Sequence, residues 1–595
     1  MTMNKNIFVV LILTILFASC TDLIDPENEN IRDKSTTYVE PSFGLGLLTN
    51  GYTRIPTNDW SFNDVATDDA VSNNNANGYL KLATGQWTAT NNAAGCWTAC
   101  MTGIQYMNIV IAEVDKMTFA EDAGVNTLFK DRIKGEAYGL RALFIYNLLQ
   151  SHAGWVNGKL LGVPIFLTEL TVSSDFNIPR SDFNTCTVQI YRDLDSATVR
   201  LPMDYVDINS SAGIPARYTK AGITDYTAYN RTMGLKFLGL MSGRIAKVIR
   251  SQVALLAASP AFANGTAEGS NGKWEDAAIY AAQILNDNNK IAGLAANGVT
   301  WYTNTSEITG LTAGKNPPEV IWRGATSNNN NLERDHFPPS LFGSGRVNPT
   351  QNLVDAFPTA TGYPITDARS GYVSSKPYSN RDPRLKTFIL VHGEKAGVTN
   401  AVINVETGND AVNKIQTSTR TGYYMKKLLR QDVNYNPTGR NTQFHYKPRI
   451  RYTEIYLNFA EAANEAWGPM ADPKGYGYSA YDVIKAIRKR ALGISTDPYL
   501  ESIKSDQVAM RQLIHNERRL ELCFEGFRFW DLRRWKVSLN ELNTPAMGIT
   551  VTGGVVSNPV TVENRLYQDY MYYGPIPYSE TLKFSNLLQN DNWNK

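Results

Sequence analysis

Cysteine and histidine are scarce in this chain. Five Cys among 595 residues exclude a disulfide-dense scaffold. The five His (His152, His336, His392, His445 and His515) show no HExxH spacing, which argues against a zinc hydrolase. Charge of one sign is also lacking. Lys+Arg 58 against Asp+Glu 56 leaves +2, and a broad nucleic-acid binder needs a clear basic excess. Beyond the first twenty residues no run reaches the roughly eighteen apolar residues of a membrane-crossing helix. The best candidate, Val248 to Phe262, is short and carries Arg250. GxSxG and GxxxxGK[ST] are missing, so no nucleophile elbow or P-loop is present. What remains is a chain that is 43% hydrophobic and 11% aromatic, with 31 Tyr and 11 Trp. It can bury a large core and still present rigid amphipathic rings.

The N-terminus reads as an address. Lys5 precedes an apolar run from Ile7 to Phe17, too short to span a bilayer. It ends in Leu16-Phe17-Ala18-Ser19-Cys20, which resembles the lipobox of bacterial lipoproteins. The expectation is a signal peptide over 1–19, acylation at Cys20, and an acidic, turn-rich tether over 20–40. Acyl chains would anchor the protein stably without a spanning helix. Acidic residues just after the lipidated Cys resemble a signal for the outer face of the outer membrane.

The body reads as helical. Ile133, Ala137, Leu140, Phe144 and Leu148 form one apolar face of a helix over 129–150. Ile455, Phe459, Ala462 and Ala466 do the same over 451–468, where Gly468 and Pro469 stop the helix and the small residues invite a close neighbour. Ser479 with Asp482 resembles a capping box. A further helix is expected from about Asp506 to Cys523. Successive antiparallel helix pairs predict a mainly α, tetratricopeptide-like scaffold, although no crisp repeat is readable. Between about 290 and 450 Asn, Gly, Pro, Ser and Thr dominate, with β-like runs at Glu319–Trp322 and Thr387–Val391. Residues 327–345 read as a loop. The expectation is one domain over 41–595, with parts at about 41–230 and 290–595.

The sequence becomes recognisable in HNERRLELCFEGFRFWDLRRW (515–535) and YYGPIPYSETLKFSNLLQND (572–591). NPTQNLVDAF (348–357), PYSNRDPRL (377–385), VATDDAV (65–71), GEAYGLRALFIYNLLQSHAG (135–154) and RSDFNTCTVQIYRDLDSA (180–197) accompany them. In this order the blocks resemble the SusD/RagB family of outer-membrane nutrient-binding lipoproteins. The resemblance implies a SusD-like fold and a surface ligand site facing away from the membrane. It also implies partnership with a SusC-like TonB-dependent transporter, to which an oligosaccharide is delivered. A RagB-like peptide ligand is the alternative within binding, and a lid without ligand contact is the structural one.

Each block also has a structural reading. The charges between Glu517 and Arg534 suit helical ion pairs such as Arg518–Glu521, with Glu517 and Glu521 sharing an Arg. That reading makes a clamp, not an active site. A glycoside hydrolase needs two carboxylates flanking one bond. Asp68 and Asp69 are adjacent, and on a strand they would point to opposite faces. Cys96 and Cys100 sit at helical spacing and read as two buried thiols, with a strained disulfide as the other possibility. No cofactor is expected. The acidic loops permit a cation but show no calcium-loop pattern.

Sugars present flat apolar faces edged with hydroxyls, so binding rings should lie in loops among polar residues. Trp87 and Trp301 meet that description, together with Asp69, Arg369 and Tyr372 in polar loops. These five are the expected ligand contacts. Trp155, Trp322, Trp467, Trp530 and Trp535 lie in or beside regular segments and are expected in the core.

Overall fold

The computed structural model describes residues 38–263, 272–311 and 315–593. Cys20, the signal segment and most of the tether fall outside them.

The long helices are α1 (Pro41–Tyr52), α2 (Trp97–Glu113), α3 (Ala123–His152), α4 (Phe183–Arg200), α5 (Gly243–Ala258), α6 (Trp274–Asp287), α7 (Tyr452–Trp467), α8 (Ala480–Leu492) and α9 (Gln507–Glu521). Neighbours in sequence pack on one another: α1 on α2, α2 on α3, α3 on α4, α5 on α6, and α7 on α8. The fold is mainly α with short strands, as expected. Ala277, Ala278, Ala281 and Ala282 of α6 face Ala460, Ala462 and Ala463 of α7, all buried, so the two backbones approach closely. Gly468 ends α7 at φ 87°, a conformation that costs glycine little. The capping box is formed: Ser479 Oγ accepts from the Asp482 N–H at 3.3 Å, and Asp482 accepts from the Ser479 N–H at 2.9 Å. The helix expected from about Asp506 to Cys523 is α9, Gln507–Glu521, with Asp506 as its N-cap.

Two large apolar cores result. One fills the helical scaffold. The other lies under the loop-rich insert and gathers Trp301, Leu353, Phe388 and Tyr424 around Cys523 and Phe524. The strands come in pairs: β1 (Ala70–Ser72) with β4 (Val347–Pro349), β3 (Ser327–Asn329) with β5 (Gln443–His445), and β2 (Val320–Arg323) with β6 (Pro448–Arg451). The segment 327–345 is thus not simply a loop. It contains β3 and a short helix over Asn331–His336, because β5 supplies its ladder partner from more than a hundred residues away. Only Ile389–Leu390 of the expected run at Thr387–Val391 is strand, since Thr387 and Phe388 close a helix begun by Pro383.

The charge-rich C-terminal block is a buried clamp. Glu517 and Glu521 share Arg384, whose Nη1 donates to them at 2.8 and 2.9 Å, while its Nη2 reaches Asp382 at 2.6 Å. Arg488 and Arg490 take the other oxygens of Glu517 and Glu521 at 2.7 and 2.9 Å. Arg518 does not pair with Glu521, as helical spacing suggested. It turns to Asp531 and Asn458, because Glu521 is already saturated. Trp322 and Trp535 are buried, and Trp155, Trp467 and Trp530 pack half-buried on the helical core. Cys96 and Cys100 are free thiols, the second buried and the first half-buried.

The clamp sets a pH response. Burial works against the Glu461 carboxylate, but Arg534, at 2.7 Å, and Arg518 hold it down at about 2. A depressed acid lends stability that is present above its unfolded value of 4.5 and lost as pH falls through the folded one. Asp64 and Glu454 act oppositely: burial raises both to about 7, so they cost stability as pH climbs towards that value. The melting temperature should therefore rise modestly from pH 8 to about 5 and fall steeply below about 4. A scanning-calorimetry series checks this, and a flat acid limb would contradict the clamp.

Candidate functional site

Three remote segments meet at one surface. The β1–β4 pairing sets Asn74 and Asn77 beside Arg346. The β3–β5 pairing brings Asn329 and Asn331 beside His445. The third segment, 57–62, is pinned from below. Lys447 Nζ donates to the Thr57 carbonyl at 2.8 Å and to the Asp59 carbonyl, and Arg449 donates to Asn58 Oδ1 at 2.6 Å. Between these segments runs a groove of about 630 Å³.

Its apolar edge is a ring ledge. Trp60 and Phe62 stack with centroids 6.0 Å apart and planes 22° apart. Phe62 sits at φ 46°, which strains a bulky residue by about 1–3 kcal/mol. Its ring is held by Trp60 on one side and by His336, centroid at 4.5 Å, on the other. Trp60 stays half-buried, and Lys447 lies 5.5 Å from its ring centre. Burial lowers Lys447 to about 8. His336 is pushed down to about 4 by burial, so it is neutral, and its Nδ1 has no partner.

The polar edge is made of amides. Asn77 spends Oδ1 on the N–H groups of Tyr79 and Leu80, at 2.9 and 3.0 Å, capping a helical turn. Asn74 accepts from Ala76 at 3.1 Å, and Asn331 accepts from Arg334 at 3.1 Å. Each amide is oriented through its oxygen and leaves its Nδ2 without a partner among the described residues. Among the described residues the Arg346 side chain makes one long hydrogen bond, 3.5 Å to Asn73. A rigid ring face bordered by unspent donors can hold a hydroxylated ring by stacking and hydrogen bonding. Among the described residues no group of three or more His, Cys, Asp or Glu could hold a metal ion.

The expected contacts fall elsewhere. Asp69 is 0% exposed, and Arg519 donates to it at 2.6 Å and to Asp68 at 2.8 Å. The two carboxylates therefore share a cation and do not diverge, because the strand begins only at Ala70. Trp87 is 3% exposed, wedged against Trp593 at 5.1 Å, with Arg533 5.0 Å from its ring centre. Trp301 is 1% exposed and packs on Tyr302 and Tyr446 in the second core. The exposure required of these three residues is absent. Arg369 is exposed but bidentate on Asp367, and Tyr372 is half-exposed near Arg381. Neither lines the groove. Trp60, flanked by Asn58, Asp59 and Ser61, met the same polar-loop criterion that singled out Trp87. The amides lie in Asn-rich runs whose composition was plain but whose partners were not.

Comparisons with known proteins follow the same division. Residues 318–593 match the SusD family model, and residues 44–220 match a model described as starch-binding associating with outer membrane. Two SusD-like proteins of Formosa agariphila are 34% identical over 119 residues and 33% identical over 155. Those stretches span only 20% and 26% of the relatives' own lengths, and the same shares of this chain. Among solved structures, a SusD-like protein of Bacteroides fragilis superposes with TM-score 0.70 at 23% identity, covering 95% of this chain and 99% of that one. A SusD-like carbohydrate binding protein of the same species gives 0.67 at 19%, covering 93% and 100%. Surface glycan-binding protein A of Bacteroides fluxus gives 0.57 at 16%, covering 93% and 99%.

Proposed function

The chain belongs to the SusD/RagB family, and from that premise we propose that it is a non-catalytic glycan-binding lipoprotein of the outer membrane. It is anchored through Cys20 and faces the cell exterior. It captures an oligosaccharide in the groove beside Trp60 and passes it to a SusC-like TonB-dependent transporter. The observation that carries this reading is the ring ledge of Trp60 and Phe62 opposite the unspent amides of Asn74, Asn77 and Asn331.

Several features support it. The groove is open, with one apolar and one polar edge, so a chain can enter sideways. Its acids do not form a hydrolytic pair: Asp335 is held by Arg334 at 2.8 and 3.0 Å, which leaves Asp59 alone on the groove wall. No helix among the described residues is long and apolar enough to cross a membrane, which suits attachment through acyl chains. Capture needs only modest affinity, since release must follow.

The purified protein should bind soluble oligosaccharides by calorimetry and return them intact on chromatography after long incubation. Released fragments would overturn the non-enzyme reading. Binding of peptides with no response to any glycan would shift the ligand to the RagB-like class. Detergent extracts of the outer membrane should yield the lipoprotein together with a barrel transporter, and recovery of the lipoprotein alone would count against delivery.

A further inference from the structure

Beneath Trp60 lies a second cavity that the groove does not need. It is about 370 Å³ and sinks between α3, α5 and α7. That is far more than the about 10–15 Å³ one water molecule requires, and within the range of small-molecule sites. Trp60, Asp59 and Lys447 line both spaces, so the mouth of the cavity adjoins the groove.

The floor holds three almost wholly buried polar side chains, each half satisfied. Glu454 is 3% exposed, and Asn458 and Asn63 are each 2% exposed. Glu454 Oε1 accepts from Gln252 at 2.7 Å, and its Oε2 has no partner. Asn458 Oδ1 accepts from Arg518 at 2.6 Å, and its Nδ2 has no partner. The Asn458 amide lies near enough to steady the Glu454 carboxylate, yet without hydrogen-bond geometry. Asn63 Nδ2 donates to the Gly526 carbonyl at 3.1 Å, and its Oδ1 has no partner. Leaving one buried polar atom unmet costs about 1–3 kcal/mol. Three around one cavity form a set of donors and acceptors waiting for a complement.

The arginines on the floor are already paired. Arg451 is taken by Glu319 at 2.7 Å and by Glu525 at 2.7 Å. Arg534 is taken by Asp531 at 2.8 Å and by Glu461. Arg449 donates to Asn58 and to the Arg323 carbonyl, and Lys447 to two backbone carbonyls. Burial raises the Glu454 carboxyl to about 7, so near neutrality part of it is protonated and can donate as well as accept. Lys447, Arg449 and Asp59 keep their charges near the mouth, but the floor offers no free ion to an ionic ligand, whereas Trp60, Tyr79 and Trp530 offer ring surface on the walls.

We propose that this cavity is a second binding site, which takes one neutral, polyhydroxylated molecule of single-ring sugar size through Glu454, Asn458 and Asn63. It goes beyond groove capture, and its three polar contacts line the cavity and not the groove. Cys96 lines the same cavity and serves as its reporter. Its thiol is held well below the usual thiol range, chiefly by a hydrogen bond from Cys100, while Cys100, Cys186 and Cys523 are buried.

The test uses D-glucose, D-galactose and D-mannose, with D-glucuronate and D-glucosamine as charged counterparts. Binding is read by calorimetry, and location by iodoacetamide alkylation of Cys96 in peptide mass maps. At least one neutral sugar should bind and slow Cys96 alkylation, and the charged pair should do neither. Glu454→Gln, which keeps the side chain's shape, should weaken binding by about tenfold. Ala99→Phe fills the cavity from α2 without removing any hydrogen bond, and should abolish both signals. Arg369→Ala, at a residue that lines neither space, should leave both unchanged, and because Cys96 protection reports on the cavity alone, failure here and failure of oligosaccharide capture are separable. Absence of heat and protection with all three neutral sugars, equal binding of the charged pair, or full binding in Ala99→Phe would each overturn the proposal.

Discussion

Arg384→Met lowers the free energy of unfolding by about 3–5 kcal/mol, read from the midpoint of urea denaturation. The guanidinium is wholly buried and answers three carboxylates, Asp382, Glu517 and Glu521. Methionine fills similar space but leaves those acids facing one another without their common cation. Arg488 and Arg490 compensate only in part, each holding one oxygen. The control is Arg369→Ala. It removes an equally short pair, 2.7 Å to Asp367, but a half-exposed one that water and salt screen, and should leave the midpoint almost unchanged. Equal shifts for the two variants would show that the block from Glu517 to Arg534 is not a structural clamp.

Trp60→Ala reduces oligosaccharide affinity by about 2 kcal/mol, roughly thirtyfold, with little change in melting temperature. Trp87→Ala does the reverse: it costs about 3–5 kcal/mol of stability and leaves the affinity of the folded fraction near wild type. Both rings sit among polar neighbours in the chain. The difference lies in what covers them. Trp87 is enclosed by Phe529, Tyr567, Trp593 and Arg533 from the C-terminal segments. Trp60 has Phe62 on one side and the groove on the other. Calorimetric titration beside thermal melting separates the outcomes. A Trp60→Ala variant that binds like wild type would remove the ring ledge from the site.

The helices were readable because their signals are local. An apolar stripe at a period near 3.6, an Asp or Ser at the N-cap and a glycine at the stop all act within a few residues. The capping box at Ser479 and the glycine at 468 are of this kind, and so are the ordered motifs that place the chain in its family. The sharing of one Arg by Glu517 and Glu521 was readable too, since a one-turn spacing puts both acids on one face. Which Arg they share was not, for Arg384 lies more than a hundred residues away.

Exposure is not a local property. Asp69 stands in a polar loop, yet Arg519, which comes 450 positions later, draws it to 0% exposure. Trp301 stands between polar residues as well, and the insert's own core closes over it. Composition shows the Asn-rich runs but not their use, and only the β1–β4 and β3–β5 pairings bring Asn74, Asn77, Asn329 and Asn331 to one surface. Local pattern decides which segments coil and where they end. Long-range packing decides which ring or acid meets water, because burial depends on what the rest of the chain lays on top.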